Sequence, residues 1–357
     1  MARELTERER EVLELIIQNF ILTATPVGSR FLSKKSDLKL SDATIRNVMF
    51  DLESEGYITH PHTSAGRVPT DKGYRFYVDS MMHIGKLAKD ERLKIDRNIG
   101  QISALAGQSD DILRESSRLL GRISRQIGVV LSPSLSRGIF EKLEIVPLSS
   151  SKIMVILSLQ AGLVKTIMLE VRSEIPRSKL EDLARFINER IAGLTLQEIR
   201  QSFAERVAGE NDETGLIRIF IDATDRLFDE QPEVERIHIG GKENILSHPE
   251  FEEKDKIRGI FEFIENENVI VHLLEEGRSA IQGRESEVFG ESGVRITIGK
   301  ENMNSKMNNC SIITAQYAVG GTVGTVGVIG PTRMDYSKVV RVIDYVAQRL
   351  SSTLSQY

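Results

Sequence analysis

Residues 40–78 read LSDATIRNVMFDLESEGYITHPHTSAGRVPTDKGYRFYV. In the first half, Ile45, Val48, Met49 and Leu52 stand at i, i+3, i+4 and i+7, one apolar stripe of an α-helix. Ser41 suits the N-cap, because its hydroxyl oxygen can accept from the free amides of the first turn. Gly56, able to take a positive φ, stops the helix after Glu55. At about 100° per residue, the opposite side carries Ala43, Arg46, Asn47, Phe50 and Ser54, with Thr44 at its edge. Small residues permit close approach, an arginine offers the bidentate donor that guanine accepts, and an amide matches adenine. This is a candidate recognition helix for the major groove of DNA, although an amphipathic helix with a polar back is also common in proteins that bind no DNA.

The neighbouring segments supply the rest of a winged helix-turn-helix. Tyr57 to His60 reads as a strand, Val68 to Thr70 as its return, and Pro61 to Arg67 as a turn rich in Gly, Ser and Thr. Upstream, Thr6-Glu7-Arg8-Glu9 is a capping box, and Val12, Leu13, Ile16, Ile17 and Phe20 mark a buried helical face that Thr25-Pro26 stops. Ser29 is expected to cap a short second helix through Arg30, Phe31, Leu32 and Lys35, and a turn at Asp37 to Leu40 delivers the chain to Ser41. Helix, helix, turn, recognition helix and wing is the order such a domain requires. On helix phase, Arg46 and Asn47 are expected to read bases, with Thr44 a weaker candidate. Ser41, His62, Thr63, Ser64 and Arg67 are expected to position the DNA backbone. Tyr74, Phe76, Tyr77 and Val78 are expected to pack the wing onto the helices, with stacking on single-stranded bases as the alternative.

HTSAGRVPTDKGYRFYV, residues 62–78, resembles almost letter for letter the segment that follows the recognition helix in the bacterial heat-inducible transcription repressor family HrcA. IGKEN at 298–302, CSIITAQY at 310–317 and GPTRMDY at 330–336 look like C-terminal blocks of the same family, so the resemblance spans essentially the whole chain. It implies a winged helix, a GAF-like domain, and a dimerising domain inserted within the latter. It also implies an operator of the CIRCE inverted-repeat type upstream of chaperone operons, and the chaperonin GroEL as a partner that helps the repressor reach or keep its active form.

Composition narrows the alternatives. A chain of 357 residues is long for one core and suggests two to three domains. The single cysteine, Cys310, excludes intramolecular disulfides and cysteine-cluster zinc sites. The six histidines, His60, His62, His83, His238, His248 and His272, show no metal-binding spacing, so no metal or other cofactor is expected. The start MARELTERER has no secretory character, and the longest apolar run, Ile153 to Val164, is too short to span a membrane; a cytoplasmic protein is expected. The net charge of −5 speaks against a nucleic-acid partner until it is counted by region. Met1 to Lys86 carries 12 Lys and Arg against 12 Asp and Glu, so it is near neutral while the remainder is acidic. Non-specific phosphate affinity is then modest, and specific binding needs two copies engaged at once, a homodimer. The glycine-rich VGGTVGTVGVIGP at 319–331 lacks the lysine of a phosphate loop and reads as a hairpin; no catalytic constellation emerges, and an enzyme is not expected.

The fold class expected is α+β, with five segments. Residues 1–82 form the winged helix, and 83–127 a helical connector. Residues 128–175 and 286–357 form the two parts of the GAF-like sheet domain, and 176–285 the inserted, mainly helical dimerisation domain. The early strands FEKLEIVPL, KIMVILSLQ and LVKTIMLEV are expected to join the late ones in one sheet, since neither group hides its own edges. The echo between IHIGGKEN at 237–244 and ITIGKEN at 296–302 reads as similar local geometry, with an ancient repeat as the rival. A second functional class stays open at this point, a small-molecule-responsive regulator sensing a metabolite in the GAF-like domain.

Overall fold

A computed structural model describes residues 3–35, 40–61, 66–105, 109–133, 138–160, 164–171, 173–208, 215–228, 236–276, 289–302, 304–319 and 322–355. The fold is α+β, and the chain divides into two compact units. One comprises residues 1–130, 238–316 and 325–349; the other comprises 131–237, 317–324 and 350–357.

The first unit opens with α1 (Glu7–Thr23), α2 (Ser29–Lys35) and α3 (Asp42–Ser54), then a hairpin of β1 (Ile58–Thr59) and β2 (Val68–Pro69), then α4 (Asp71–Ser80). The capping box on α1 is present: Glu9 N donates to Thr6 Oγ1 at 3.3 Å, and Thr6 N donates to the Glu9 carboxylate at 2.8 Å. Burial pushes the Glu9 carboxyl up, but the Thr6 hydrogen bonds and the paired Arg3 guanidinium outweigh it and hold the group below its usual value. Thr6→Ala is expected to cost about 0.5–2 kcal/mol in urea unfolding. Because the folded carboxyl titrates lower than the unfolded one, the Glu9 contribution is present above the ordinary carboxylate range and is lost as pH falls through the lowered value.

Ser29 does not cap α2. The Gly28 carbonyl accepts from the amides of Phe31 and Leu32, so the helix starts at Ser29 and the cap position falls one residue earlier. The turn expected at Asp37 to Leu40 lies mostly outside the described residues. α4 is an element the sequence reading lacks. Thr70 caps it by accepting from Gly73 N at 3.1 Å, and Tyr74, Tyr77 and Val78 are buried, as their expected packing role requires. Phe76 meets Tyr57 edge-on at 5.4 Å. A Cβ on Gly73 would stand 2.2 Å from the Tyr57 carbonyl oxygen, so the first turn of α4 can lie against the hairpin only with glycine there.

Next come α5 (Lys89–Leu105), α6 (Ser109–Ser124) and β3 (Ile127–Leu131), and after the second unit β7 (Ile237–Gly240), α11 (Lys254–Glu265), α12 (Glu267–Glu276), β8 (Arg295–Ile298), β9 (Cys310–Val319), β10 (Thr322–Pro331) and α13 (Tyr336–Leu354). The strands form one five-stranded sheet of order β7-β3-β10-β9-β8. α5 lies along α13, where Tyr345 donates its hydroxyl to Asp96 at 2.9 Å and Arg349 pairs with the same carboxylate at 2.9 Å. The two echoed stretches share local geometry. β7 and β8 each run into a 3₁₀ turn, Lys242–Ser247 and Gly299–Asn302. In each turn an asparagine amide donates to nearby carbonyls, Asn244 to Gly121 and Gln126, Asn302 to Gly299, Met307 and Cys310.

The second unit holds β4 (Phe140–Ser149), β5 (Lys152–Leu159), β6 (Val164–Glu170), α7 (Arg177–Ile191), α8 (Leu196–Val207), α9 (Leu216–Asp222) and α10 (Thr224–Phe228). Here the single-sheet expectation is overturned: β4-β5-β6 is a separate antiparallel sheet, and the late strands β8, β9 and β10 join the five-stranded sheet, where β10 pairs with β3 and β3 with β7. The meander hides itself by other means. Its buried face, with Leu143, Val155 and Leu157, shares one core with Leu180, Ile187, Ile199, Phe203 and Phe228 of the helices. The Asn188 side chain of α7 both accepts from Leu143 N and donates to Leu143 O, at 2.7 and 2.9 Å. The start of β4 is covered by the loop before α8, where Phe140 N donates to Leu194 O at 2.8 Å. α11 and α12, expected in the inserted segment, belong to the first unit.

Candidate nucleic-acid interface

α3 sits on α1 and α2 through Ile45, Val48, Met49 and Leu52, all buried, which leaves Ala43, Arg46, Asn47, Phe50 and Ser54 exposed on the other side. Ser41 is the N-cap: Thr44 N donates to its hydroxyl at 3.1 Å, and the two hydroxyls pair at 2.9 Å. These two candidates therefore sit together at the positive end of the helix, where backbone amides favour an anion. The Asn47 side chain makes no hydrogen bond among the described residues. Arg46 reaches back to Asp42 at 3.4 Å with its side chain 72% exposed. An exposed i, i+4 pair of this kind is worth about 0.3–0.5 kcal/mol, so the guanidinium can swing to a better acceptor at little cost.

The hairpin is tied to this helix by a carboxylate that sequence reasoning missed. Glu53, on the flank of α3, pairs with Arg67 at 2.8 Å and with His60 Nδ1. Arg67 also exchanges two backbone hydrogen bonds with Val27, each 2.8 Å, adding a third short stretch of chain beside β2. Of the wing candidates, then, Arg67 braces the hairpin against α3. His62, Thr63 and Ser64 lie outside the described residues. A signal for the brace was present in the sequence: Glu53 falls on the border of the polar face, and His60 and Arg67 bracket the turn that follows. Lys72 closes the other end of α3, donating to the Glu55 carbonyl at 2.6 Å. Arg30 and Lys34 on α2 are also exposed.

Within the same unit, the helices and hairpin are fastened to the five-stranded sheet and its helices. Arg75 of α4 donates to both Glu301 carboxylate oxygens, to Ile296 O at 2.8 Å and to Asp79 at 3.0 Å. Tyr74 and Tyr336 rings lie 5.9 Å apart, and Arg333 joins the Ile21 carbonyl at 2.7 Å to the Glu250 carboxylate. Glu301, Arg333 and Tyr336 come from IGKEN and GPTRMDY, so these blocks are where the sheet and its helices hold α1 and α4.

Other chemistry is sparse. Cys310 is buried in β9 and burial pushes its thiol up to about 12. Among the described residues, no group of three or more His, Cys, Asp or Glu side chains could hold a metal ion, and no helix is long and apolar enough to cross a membrane.

Residues 110–340 match the family described as HrcA protein C terminal domain. The heat-inducible transcription repressor HrcA of Chlorobium phaeobacteroides (strain BS1) is 46% identical over 356 residues, which is 99% of this chain and 100% of that protein. The HrcA of Prosthecochloris aestuarii (strain DSM 271 / SK 413) is 47% identical over 352 residues, covering 99% and 98%. A crystal structure of a hypothetical protein at 2.2 Å resolution shares the fold with a TM-score of 0.59 at 24% identity, covering 99% of both chains. With full-length identity at this level, the chain belongs to the heat-inducible transcription repressor family HrcA.

Proposed function

We propose that this chain is a dimeric, DNA-binding transcription repressor of chaperone operons, acting in the cytoplasm on an inverted-repeat operator of the CIRCE type. The observation that carries the reading is the exposed side of α3: Arg46, held only by a weak exposed pair with Asp42, and Asn47 stand exposed beside Ala43 on a helix capped by Ser41 and braced from the hairpin through Glu53. Residues 1–82 are then a winged helix-turn-helix, α3 its recognition helix and the hairpin its wing. The five-stranded sheet with its helices is the GAF-like domain. The unit centred on 131–237, meander included, is the inserted dimerisation domain. Two copies related by a twofold axis place two recognition helices on two half-sites, so operator symmetry follows protein symmetry.

Full-length relatives named as heat-inducible repressors support this assignment, and the family resemblance adds GroEL as the modulating partner. The test is transcription in vitro from a chaperone promoter carrying the repeat, with the full chain titrated in the presence and absence of purified GroEL. Repression is expected to deepen with chaperonin and to vanish when the repeat is scrambled. Equal transcription from both templates at saturating protein, with GroEL present, would overturn the reading.

A further inference from the structure

Phe50 is the most exposed phenylalanine among the described residues, at 67%. It sits on α3 four residues after Arg46 and three after Asn47, which in projection down the helix places it about 40° from the one and 60° from the other. The most apolar side chain of the face thus occupies the middle of the candidate base-reading stripe, flanked by the small Ala43 and Ser54. It contributes nothing to the core beneath, which Ile45, Val48, Met49 and Leu52 fill from the other side. An exposed phenyl ring in the middle of this polar face offers apolar area whose removal from water by an apolar group is favourable.

We infer that Phe50 is a specificity-determining residue that packs on the 5-methyl group of a thymine in each half-site; the inference rests on the DNA-binding reading above. In the major groove, the only apolar group on any base edge is the thymine methyl, whereas guanine and adenine present acceptors there. A phenyl ring laid over N7 or O6 strips water from an acceptor and returns no hydrogen bond, so the same side chain that selects thymine penalises purines at that position. Four residues of helix advance about 6 Å, close to two steps of 3.4 Å in the duplex. The thymine is therefore about two base pairs from the base that Arg46 contacts. Small neighbours matter here as well: Ala43 and Ser54 let the backbone approach closely enough for the ring to reach the groove floor.

The test uses the full chain and an inverted-repeat duplex selected on it from a random-sequence pool. Each thymine is replaced in turn by deoxyuridine, which deletes the methyl and nothing else. The wild-type chain is expected to lose about fourfold in affinity for one particular thymine per half-site, the worth of one buried methyl group, and about fifteenfold when both half-sites are changed. Phe50→Ala is expected to lose at least as much on the parent duplex and nothing further on the deoxyuridine duplex, while its thermal midpoint stays at the wild-type value. Phe50→Leu should keep part of the methyl effect. Undiminished binding by Phe50→Ala, or a deoxyuridine effect that persists in full in that variant, overturns this inference alone. A wild-type chain that selects no sequence overturns the DNA-binding reading and this inference with it.

Discussion

Arg46→Ala is expected to weaken operator binding by about 1–3 kcal/mol and to relax the preference at a single base position, leaving the other positions as selective as before. The size follows from what the side chain gives up. Among the described residues its guanidinium holds only the Asp42 carboxylate, at 3.4 Å on the exposed surface, so little is lost on leaving it. On DNA, a bidentate pair with guanine O6 and N7 replaces water on both sides and is among the stronger base contacts. Arg46→Lys separates geometry from charge, because an ammonium keeps the positive charge but cannot present the planar fork. It should retain the salt dependence of binding and lose most of the discrimination. A competition titration over the four base pairs at each position reads both quantities. A uniform loss across all positions, with discrimination intact, would place Arg46 on phosphate instead.

Tyr74 tests how α4 is held against α13. It is buried at 2% exposure, its ring packs toward Tyr336, and its hydroxyl has no hydrogen-bond partner among the described residues. Burial in this setting drives the hydroxyl well above its usual value, so it stays protonated across the physiological range. Removing the ring leaves a cavity between α4 and α13, and Tyr74→Ala is expected to cost about 3–5 kcal/mol. Tyr74→Phe removes only the unpaired polar atom and is expected to cost nothing, or to stabilise by up to about 1 kcal/mol. Denaturant unfolding of the two variants side by side checks the pair. A large loss in Tyr74→Phe would mean the hydroxyl carries a hydrogen bond that matters.

How far the sequence could be read depended on how local the determining interaction is. The caps of α1 and α3 are pairs three residues apart, Thr6 with Glu9 and Ser41 with Thr44, and both stand where the pattern placed them. α13 likewise spans Tyr336 to Leu354 as its periodicity indicates. α4 was hidden because Gly73 and a run of aromatic and β-branched residues are poor helix formers, and the helix is held instead by packing on the hairpin. β3 was hidden because Ile127 to Leu131 is a fully buried central strand, whose unbroken apolar run lacks the alternation that marks a half-exposed one.

The partition of strands between two sheets was beyond reach for a different reason. Whether β10 seeks β3 or the meander depends on contacts between distant segments, and no local pattern encodes that choice. The interface shows the same division. The phase of Arg46 and Asn47 follows from the stripe beneath them, while the hold of Arg75 on Glu301, 226 positions apart, exists only in the folded chain. His62, Thr63 and Ser64 are proposed as backbone contacts on the strength of the wing alone.

Operator recognition as proposed needs two α3 helices reading a symmetric duplex together. The direct measurement is a mobility-shift titration of the full chain, with chaperonin supplied, against three duplexes at two salt concentrations: an inverted repeat, the same bases scrambled, and a single half-site. The account predicts tight binding to the repeat, far weaker binding to the half-site, and a preference over the scrambled duplex that survives the higher salt, because base contacts do not depend on counterion release as phosphate contacts do. Equal affinity for all three duplexes at both salt concentrations would contradict it.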